Sequence, residues 1–175
     1  MRIAISGKSG CGNTTVSTLV ADKLNYKLIN FTFRNLAKEK GIEFWDFCKM
    51  AESDDSYDKE LDNRQIDMAM AEENCVLGSR LAIWMLKEAD LKVYLFASDQ
   101  ERASRVFKRE GGSLEKRLEQ TQMRDKNDTN RYKKIYSIDN NDFDLADLVI
   151  NTEELQPQEV ATIIVNKVLE IESNY

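Results

Sequence analysis

Histidine is absent from the 175-residue sequence. That removes Ser-His-Asp and Cys-His nucleophilic sites, any imidazole acid or base, and most zinc enzymes. Proline occurs once, at Pro157, and no Gly/Ser linker, internal repeat or low-complexity stretch divides the chain, so one domain is expected. The three cysteines, Cys11, Cys48 and Cys75, are too few and too unevenly spaced for a disulfide framework and suit a reducing compartment. Long apolar runs are missing too. The longest, Leu81 to Leu86, has six residues, against the ~20 that a bilayer span requires. Met1-Arg2-Ile3 opens no secretory signal, and a cytoplasmic monomer without membrane attachment is the expectation. Basic residues are outnumbered 31 to 25, a net −6 that has the wrong sign for a general nucleic-acid binder.

What is present is unevenly distributed. Glu52 to Glu73 holds nine acids and two bases; Glu101 to Lys134 holds eleven bases and six acids. Such blocks are either solvated helical faces or two segments that face one polyanionic ligand. Short β-like runs alternate with longer helical patterns. Strands are expected at Arg2–Ser6, Lys27–Ile29, Asn74–Leu77, Leu91–Phe96 and Leu148–Ile150. Helices are expected over Thr14–Leu24, 33–40, 44–51, 56–73, 99–110 and 113–124. A last helix starts at Pro157 and carries Val160, Ile163, Ile164, Val168 and Ile171 at helical spacing. Alternation of this kind predicts an α/β fold, a parallel sheet flanked by helices, with ligands bound beyond the carboxyl ends of the strands. Cys48 and Cys75 read as core residues, and Trp45 and Trp84 as core or rim packing.

Directly after the first strand stands Gly7-Lys8-Ser9-Gly10-Cys11-Gly12-Asn13-Thr14-Thr15. Gly7, Gly12 and Thr14 fill their places in the P-loop pattern, whereas Asn13 stands where lysine belongs. The glycines let successive N–H groups turn inward around phosphate oxygens, and the following helix aims its positive end at the same point. Thr14 offers a hydroxyl to Mg²⁺. Asn13 supplies only a dipole in place of a charge, and Lys8, in the same loop, is a candidate to compensate.

Further along come Phe33-Arg34-Asn35-Leu36-Ala37-Lys38-Glu39, Glu60-Leu61-Asp62-Asn63-Arg64-Gln65, Ser79-Arg80-Leu81-Ala82-Ile83-Trp84, Lys108-Arg109-Glu110-Gly111, Arg131-Tyr132-Lys133-Lys134-Ile135-Tyr136 and Asp147-Leu148-Val149-Ile150-Asn151-Thr152. With the opening loop, these segments in this order resemble the short, archaeal-type cytidylate kinases within the P-loop nucleoside monophosphate kinases. The resemblance covers nearly the whole chain. It implies a P-loop kinase fold with a five-stranded parallel sheet: a core of 1–30, 74–111 and 136–175, a helical monophosphate-binding insertion over 31–73, and a lid over 112–135. It implies transfer of the ATP γ-phosphoryl group to CMP or dCMP with Mg²⁺. It places ATP on Gly7, Lys8, Ser9, Gly10, Cys11, Gly12, Asn13, Thr14 and Thr15, and the acceptor on Arg34, Arg64 and Arg80. Arg124, Arg131 and Arg80 are left to meet the transferred group.

Two of these assignments have support from spacing. Leu61, Arg64 and Met68 share a helix face, so Arg64 sits in an apolar stripe. Arg117, Arg124 and Arg131 recur every seven residues and line one face if their helix is continuous. The chain departs from the usual family pattern at Asn13, at Gly78-Ser79-Arg80 (relatives carry Glu-Gly-Arg) and at Ile29-Asn30-Phe31-Thr32 (relatives carry Ser-Ala-Gly). A nucleotide-binding protein that has lost catalysis, or a P-loop kinase for another small acceptor, fits the same residues.

Overall fold

The computed structural model describes residues 1–174, except for the side chains of Trp45 and Glu52; the packing expected of Trp45 therefore lies outside the described residues. β1 (Arg2–Gly7) is central in a five-stranded sheet, followed by α1 (Asn13–Leu24) and β2 (Lys27–Ile29). Three helices then intervene: α2 (Phe33–Glu39), α3 (Phe44–Ser53) and α4 (Ser56–Met70). β3 (Cys75–Gly78), the single-turn α5 (Ala82–Met85) and β4 (Leu91–Phe96) come next. α6 (Asp99–Glu110) and α7 (Leu114–Tyr136) lead to β5 (Leu148–Asn151) and α8 (Pro157–Ser173). The strand order is β2-β3-β1-β4-β5, all neighbours parallel.

Alternation along β1 sorts its side chains to the two faces of the sheet. Ile3 and Ile5 join Val16 and Val20 of α1 and Val160, Ile164 and Val168 of α8 in one core cluster. Ala4 joins Leu77, Ile83, Leu86 and Tyr94 on the other face. There Tyr94 stacks on Phe143 at 4.2 Å, and Trp84 meets Tyr94 edge-on at 6.0 Å. Ser6 is fully buried and accepts the Ile83 N–H at 3.1 Å, which satisfies the start of α5. A third cluster holds α2, α3 and α4 together around Phe47, which lies 5.6 Å from Phe33 and 4.9 Å from Tyr57. Pro157 opens α8 as expected, behind a capping box in which Gln156 N–H donates to Glu159 at 2.7 Å.

Two expectations need correction. The helix expected over 113–124 runs on to Tyr136, because Asp125 to Tyr136 contains no glycine or proline and its Asp128 and Tyr132 pack inward. Cys75 is core, but Cys48 is only half-buried. The acidic and basic blocks face each other: Arg131 reaches Asp58 at 3.6 Å, Lys134 reaches Asp55 at 2.6 Å, and the Tyr136 hydroxyl donates to Asp62 at 2.6 Å. Thus α7 leans across the carboxyl ends of the strands onto α4. No helix among the described residues is long and apolar enough to cross a membrane.

Close approach of α1 to the sheet fixes where the phosphate loop points. A Cβ on Gly78 would meet Ser17 Cβ at 2.8 Å and would press still harder on its hydroxyl. Gly78→Ala should therefore lower stability by about 1–3 kcal/mol through overpacking. Urea unfolding measures this, and Ser17→Gly in the same chain should recover most of the loss; an unshifted midpoint in Gly78→Ala would contradict the packing.

Candidate active site

The residues from Lys8 to Thr15 leave β1 at the centre of the sheet and open into a cleft of about 910 Å³. Gly10 (φ 86°) and Gly12 (φ 97°) take backbone conformations that side chains disfavour. Gly12 is the N-cap of α1 and brings no side-chain acceptor, so the first amides of the helix have no cap of their own. Among the described residues, the only backbone N–H from Ser9 to Thr15 that donates to a protein carbonyl is that of Cys11, to Lys8 at 3.1 Å. A ring of unspent amides at a helix N-terminus is a site for an anion.

The opposite side of the loop is fully engaged. Arg102 is 1% exposed, and its Nη1 donates to the Ser9 carbonyl at 3.0 Å. Its guanidinium also grips both oxygens of Asp125, at 3.2 and 2.6 Å, and one of Asp99 at 2.6 Å. Arg105 donates to the Gly10 carbonyl at 3.3 Å and to Thr152 Oγ1 at 3.0 Å. The Thr152 hydroxyl lies 3.4 Å from the Cys11 carbonyl. With three successive carbonyls tied to α6 and to the end of β5, the amides are left facing the cleft. Sequence reading missed Arg102, Arg105 and Thr152. The Asp99-x-x-Arg102-x-x-Arg105 spacing on one face of α6 was the available signal. Gly7 does not line the cleft but backs it: a Cβ there would meet the Leu95 carbonyl at 2.5 Å and Asn13 Oδ1 at 2.7 Å.

Eight cationic side chains line the cleft against five carboxylates, a balance suited to a polyanion. Arg80 follows β3 and is paired with Asp128 at 3.1 Å. Arg131 is held by Asp128 at 3.3 Å and Asp58 at 3.6 Å. Arg124, two turns before Arg131 on the continuous α7, has Nη1 3.4 Å from Ser9 Oγ and no carboxylate within ion-pair distance among the described residues. Partial desolvation, and then the charge of Arg80, push its pKa down, against the opposing charges of Asp128 and Glu110. Arg117 does not join this face, because it folds back on the Gly111 carbonyl at 2.9 Å and on Glu110 at 3.3 Å.

The end of the cleft under α2–α4 is lined by Phe31, Phe33, Phe44 and Leu61. Arg34 lines it too, with its guanidinium 3.8 Å above the centre of the Phe44 ring. Arg64 does not. It lies on the outer side of α4, half-exposed, 3.3 Å from Glu39 and 5.4 Å from the Phe31 ring. Gln65 takes the inner position and donates to the Phe31 carbonyl at 2.8 Å. The structure thus brings together Lys8 to Thr15, Arg34, Arg80, Arg124 and Arg131, and leaves Arg64 outside.

Thr14 lines the cleft on the first turn of α1, and its hydroxyl makes no hydrogen bond among the described residues. A free hydroxyl beside unspent amides fits a Mg²⁺ that arrives with phosphate oxygens and water as its remaining ligands. No group of three or more acidic or thiol side chains among the described residues forms a metal cage.

Asp62 lines the cleft beside Asp58 and titrates late. Burial, with Asp58's charge adding to it, pushes its carboxyl up to about 6, against the Tyr136 hydrogen bond and the charges of Arg131 and Arg80. A carboxyl raised above its unfolded value of about 3.9 contributes stability below that value and loses it as pH rises through the folded one. Asp62→Asn keeps an acceptor for Tyr136 and cannot ionise. In the nucleotide-free protein it should raise Tm at pH 7.5, with the gain fading by pH 4.5; a gain that is the same at both pH values would contradict this reading.

The chain is similar to known proteins over nearly its whole length. The profile of the Cytidylate kinase-like family matches residues 2–154. A protein of Borreliella burgdorferi named cytidylate kinase 2 is 46% identical over 168 residues, 94% of this chain and 93% of its own. The cytidylate kinase of Archaeoglobus fulgidus is 41% identical over 170 residues, 96% of this chain and 94% of its own. In fold, shikimate kinase from Acinetobacter baumannii matches with a TM-score of 0.64 at 18% identity, covering 97% of this chain and 93% of that one. Deoxyadenosine kinase from M. mycoides matches with a TM-score of 0.58 at 21% identity, covering 96% and 99%. The sheet, the helices that flank it and the phosphate loop are therefore those of a P-loop kinase, and this chain belongs to the cytidylate kinase-like family.

Proposed function

We propose that the protein is a cytidylate kinase, which transfers the γ-phosphoryl group of ATP to CMP or dCMP. The observation that carries this reading is Arg124, a guanidinium without a carboxylate partner, held beside the phosphate loop and next to the Arg80–Asp128–Arg131 cluster. A cation placed between two phosphate-binding regions is what phosphoryl transfer asks of a protein, since the reaction needs alignment and charge more than acid–base chemistry. The absence of histidine is no obstacle.

In this reading the amides of Ser9 to Thr15 hold the phosphates of ATP, and Thr14 would hold a Mg²⁺ that would screen the charge of the polyphosphate. The adenosine end lies between Lys108 and Arg109 of α6 and the 153–157 segment, which line the same cleft. Residues 31–73 form the acceptor-binding insertion. Their Phe31, Phe33 and Phe44 wall in the pyrimidine, and Arg34 and Arg80 take the acceptor phosphate by charge-assisted hydrogen bonds. Residues 112–135 act as the lid. An oxygen of the CMP phosphate, already anionic, attacks Pγ; the bond from Pγ to the β-bridging oxygen breaks, and ADP departs. Arg124 and Arg131 stabilise the charge that spreads over the transferred group. Arg64 acts indirectly, tying α4 to α2 through Glu39.

A coupled assay with ATP against CMP, dCMP, UMP and AMP tests the reading. CMP and dCMP should be phosphorylated, with kcat/KM at least about tenfold above UMP and AMP. Arg124→Ala should lower kcat on the order of 10³-fold with a much smaller change in KM for CMP, whereas Arg64→Ala should stay within about fivefold of wild type, its exposed ion pair being worth little. Turnover with none of the four acceptors would overturn the assignment and favour a binding protein without catalysis.

A further inference from the structure

The P-loop of this chain lacks the cation that would stand at position 13. Both ends of the Asn13 amide are packed against Gly7. Nδ2 donates to the Gly7 carbonyl at 2.6 Å, and Oδ1 lies where a Cβ on Gly7 would meet it at 2.7 Å. Oδ1 is buried and has no hydrogen-bond partner. One N–H of the amide is thus used at the end of β1, and the side chain brings no charge to a phosphate.

A second cation sits on the same loop. Lys8 lines the cleft, and its side chain is 29% exposed. Its ammonium makes no hydrogen bond among the described residues, and its one ion pair there, with Asp125 at 3.9 Å, is at the limit of such contacts. Asp125 has little to offer it, because Arg102 occupies both carboxylate oxygens at 3.2 and 2.6 Å. An ammonium with three donors unspent gains from any anion that reaches it. Next to it in the chain, Ser9 has its hydroxyl 3.4 Å from Arg124. Lys8 and Arg124 therefore flank the loop on the side of α7.

We infer that Lys8 is the phosphate-contacting lysine of this enzyme, a catalytic residue that takes over from the neighbouring turn the charge role that the neutral Asn13 amide cannot fill. The inference rests on the kinase reading above. In the Michaelis complex the Lys8 ammonium leaves Asp125 for the terminal phosphates of ATP. It stays on them while the acceptor oxygen bonds to Pγ and the bond to the β-bridging oxygen breaks. No proton moves through Lys8, which contributes charge alone. Asp125 loses nothing essential, since Arg102 continues to neutralise it.

The test is a double-mutant cycle of Lys8→Met with Asn13→Lys, read by kcat, by calorimetric affinity for CMP, and by affinity for an adenosine–cytidine pentaphosphate bisubstrate analogue. Lys8→Met alone should lower kcat between about tenfold and a hundredfold, the worth of one charge-assisted phosphate contact. It should weaken the analogue by about tenfold or more, with CMP affinity within about twofold of wild type as evidence of an intact fold. In the Asn13→Lys background, where a lysine again occupies the helix side of the loop, Lys8→Met should cost less than about threefold in either readout. Lys8→Arg should keep most of the activity. Equal losses in both backgrounds, or no loss in the first, would overturn the inference. Analogue binding does not depend on turnover. A wild-type protein that binds it in a Lys8-dependent way yet phosphorylates no nucleoside monophosphate would sink the kinase reading and spare Lys8; turnover indifferent to Lys8 would do the reverse.

Discussion

The buried guanidinium of Arg102 is the point on which the site depends. It is 1% exposed and binds the phosphate loop through the Ser9 carbonyl, the start of its own helix through Asp99, and α7 through both oxygens of Asp125. Burying a charge is expensive, and replacing such a group by an apolar one is often neutral for stability, so the pair is poorly explained as a stabilising device. Its geometry explains it better. A planar fork with fixed donors sets three separate elements at defined angles, which neither a lysine nor an apolar contact would do. Arg102 pulls the loop carbonyl away from the cleft, and the amides are left where phosphate must come. A structural ion pair thereby produces an anion site without touching the anion.

The same economy governs the other charges. Asp128 neutralises Arg80 and Arg131 together, and Asp58 shares Arg131, so two strong cations are held in place in the empty cleft. Without those carboxylates, like charges this close would drive the helices apart. Arg124, exposed at the cleft, has no carboxylate within ion-pair distance among the described residues, and the nearby charge of Arg80 disfavours its own. An anion beside it would relieve part of that repulsion. Asp58 and Asp62, on consecutive turns of α4, are both shifted toward the neutral acid by burial. Partial desolvation at this end of the cleft is the largest cause of both shifts, so charge is felt more strongly there than in bulk water.

How far this was legible in the sequence depends on the range of the interaction. Strand and helix identities follow from local periodicity, and all five strands lie where the apolar runs place them. The phosphate loop was legible because glycine spacing encodes backbone conformation directly, as Gly10 and Gly12 show. The seven-residue interval of Arg124 and Arg131 gave their common face once the helix proved continuous. Arg64 misled. Its apolar stripe of Leu61 and Met68 suggested an inward position, but a long side chain at the edge of such a stripe can cover the Phe31 ring and still turn outward to Glu39. Arg102, Arg105 and Thr152 were missed for another reason. The contacts that tie them to the phosphate loop and to each other span 47 to 141 residues, and the Asp99-x-x-Arg102-x-x-Arg105 spacing marks a shared helix face without telling what that face clamps.

Asn13 shows how a departure from a motif can be compatible with the motif's work. A lysine there would add charge at the first turn of α1, in line with the helix dipole, where like sign is already gathered. Asparagine leaves that turn less positive in the empty protein and closes the end of β1 with a hydrogen bond instead, at the expense of one buried oxygen without a partner. In the proposed mechanism the charge for transfer comes from side chains that line the cleft from elsewhere: Lys8 from the first turn of the loop, Arg80 from the end of β3, Arg124 and Arg131 from α7. The fold requires only that positive charge converge on the transferred group, and several backbone positions satisfy that requirement. Motif identity at position 13 is therefore a weaker criterion of catalysis than the sum of cations that the closed cleft can bring within reach of the phosphates.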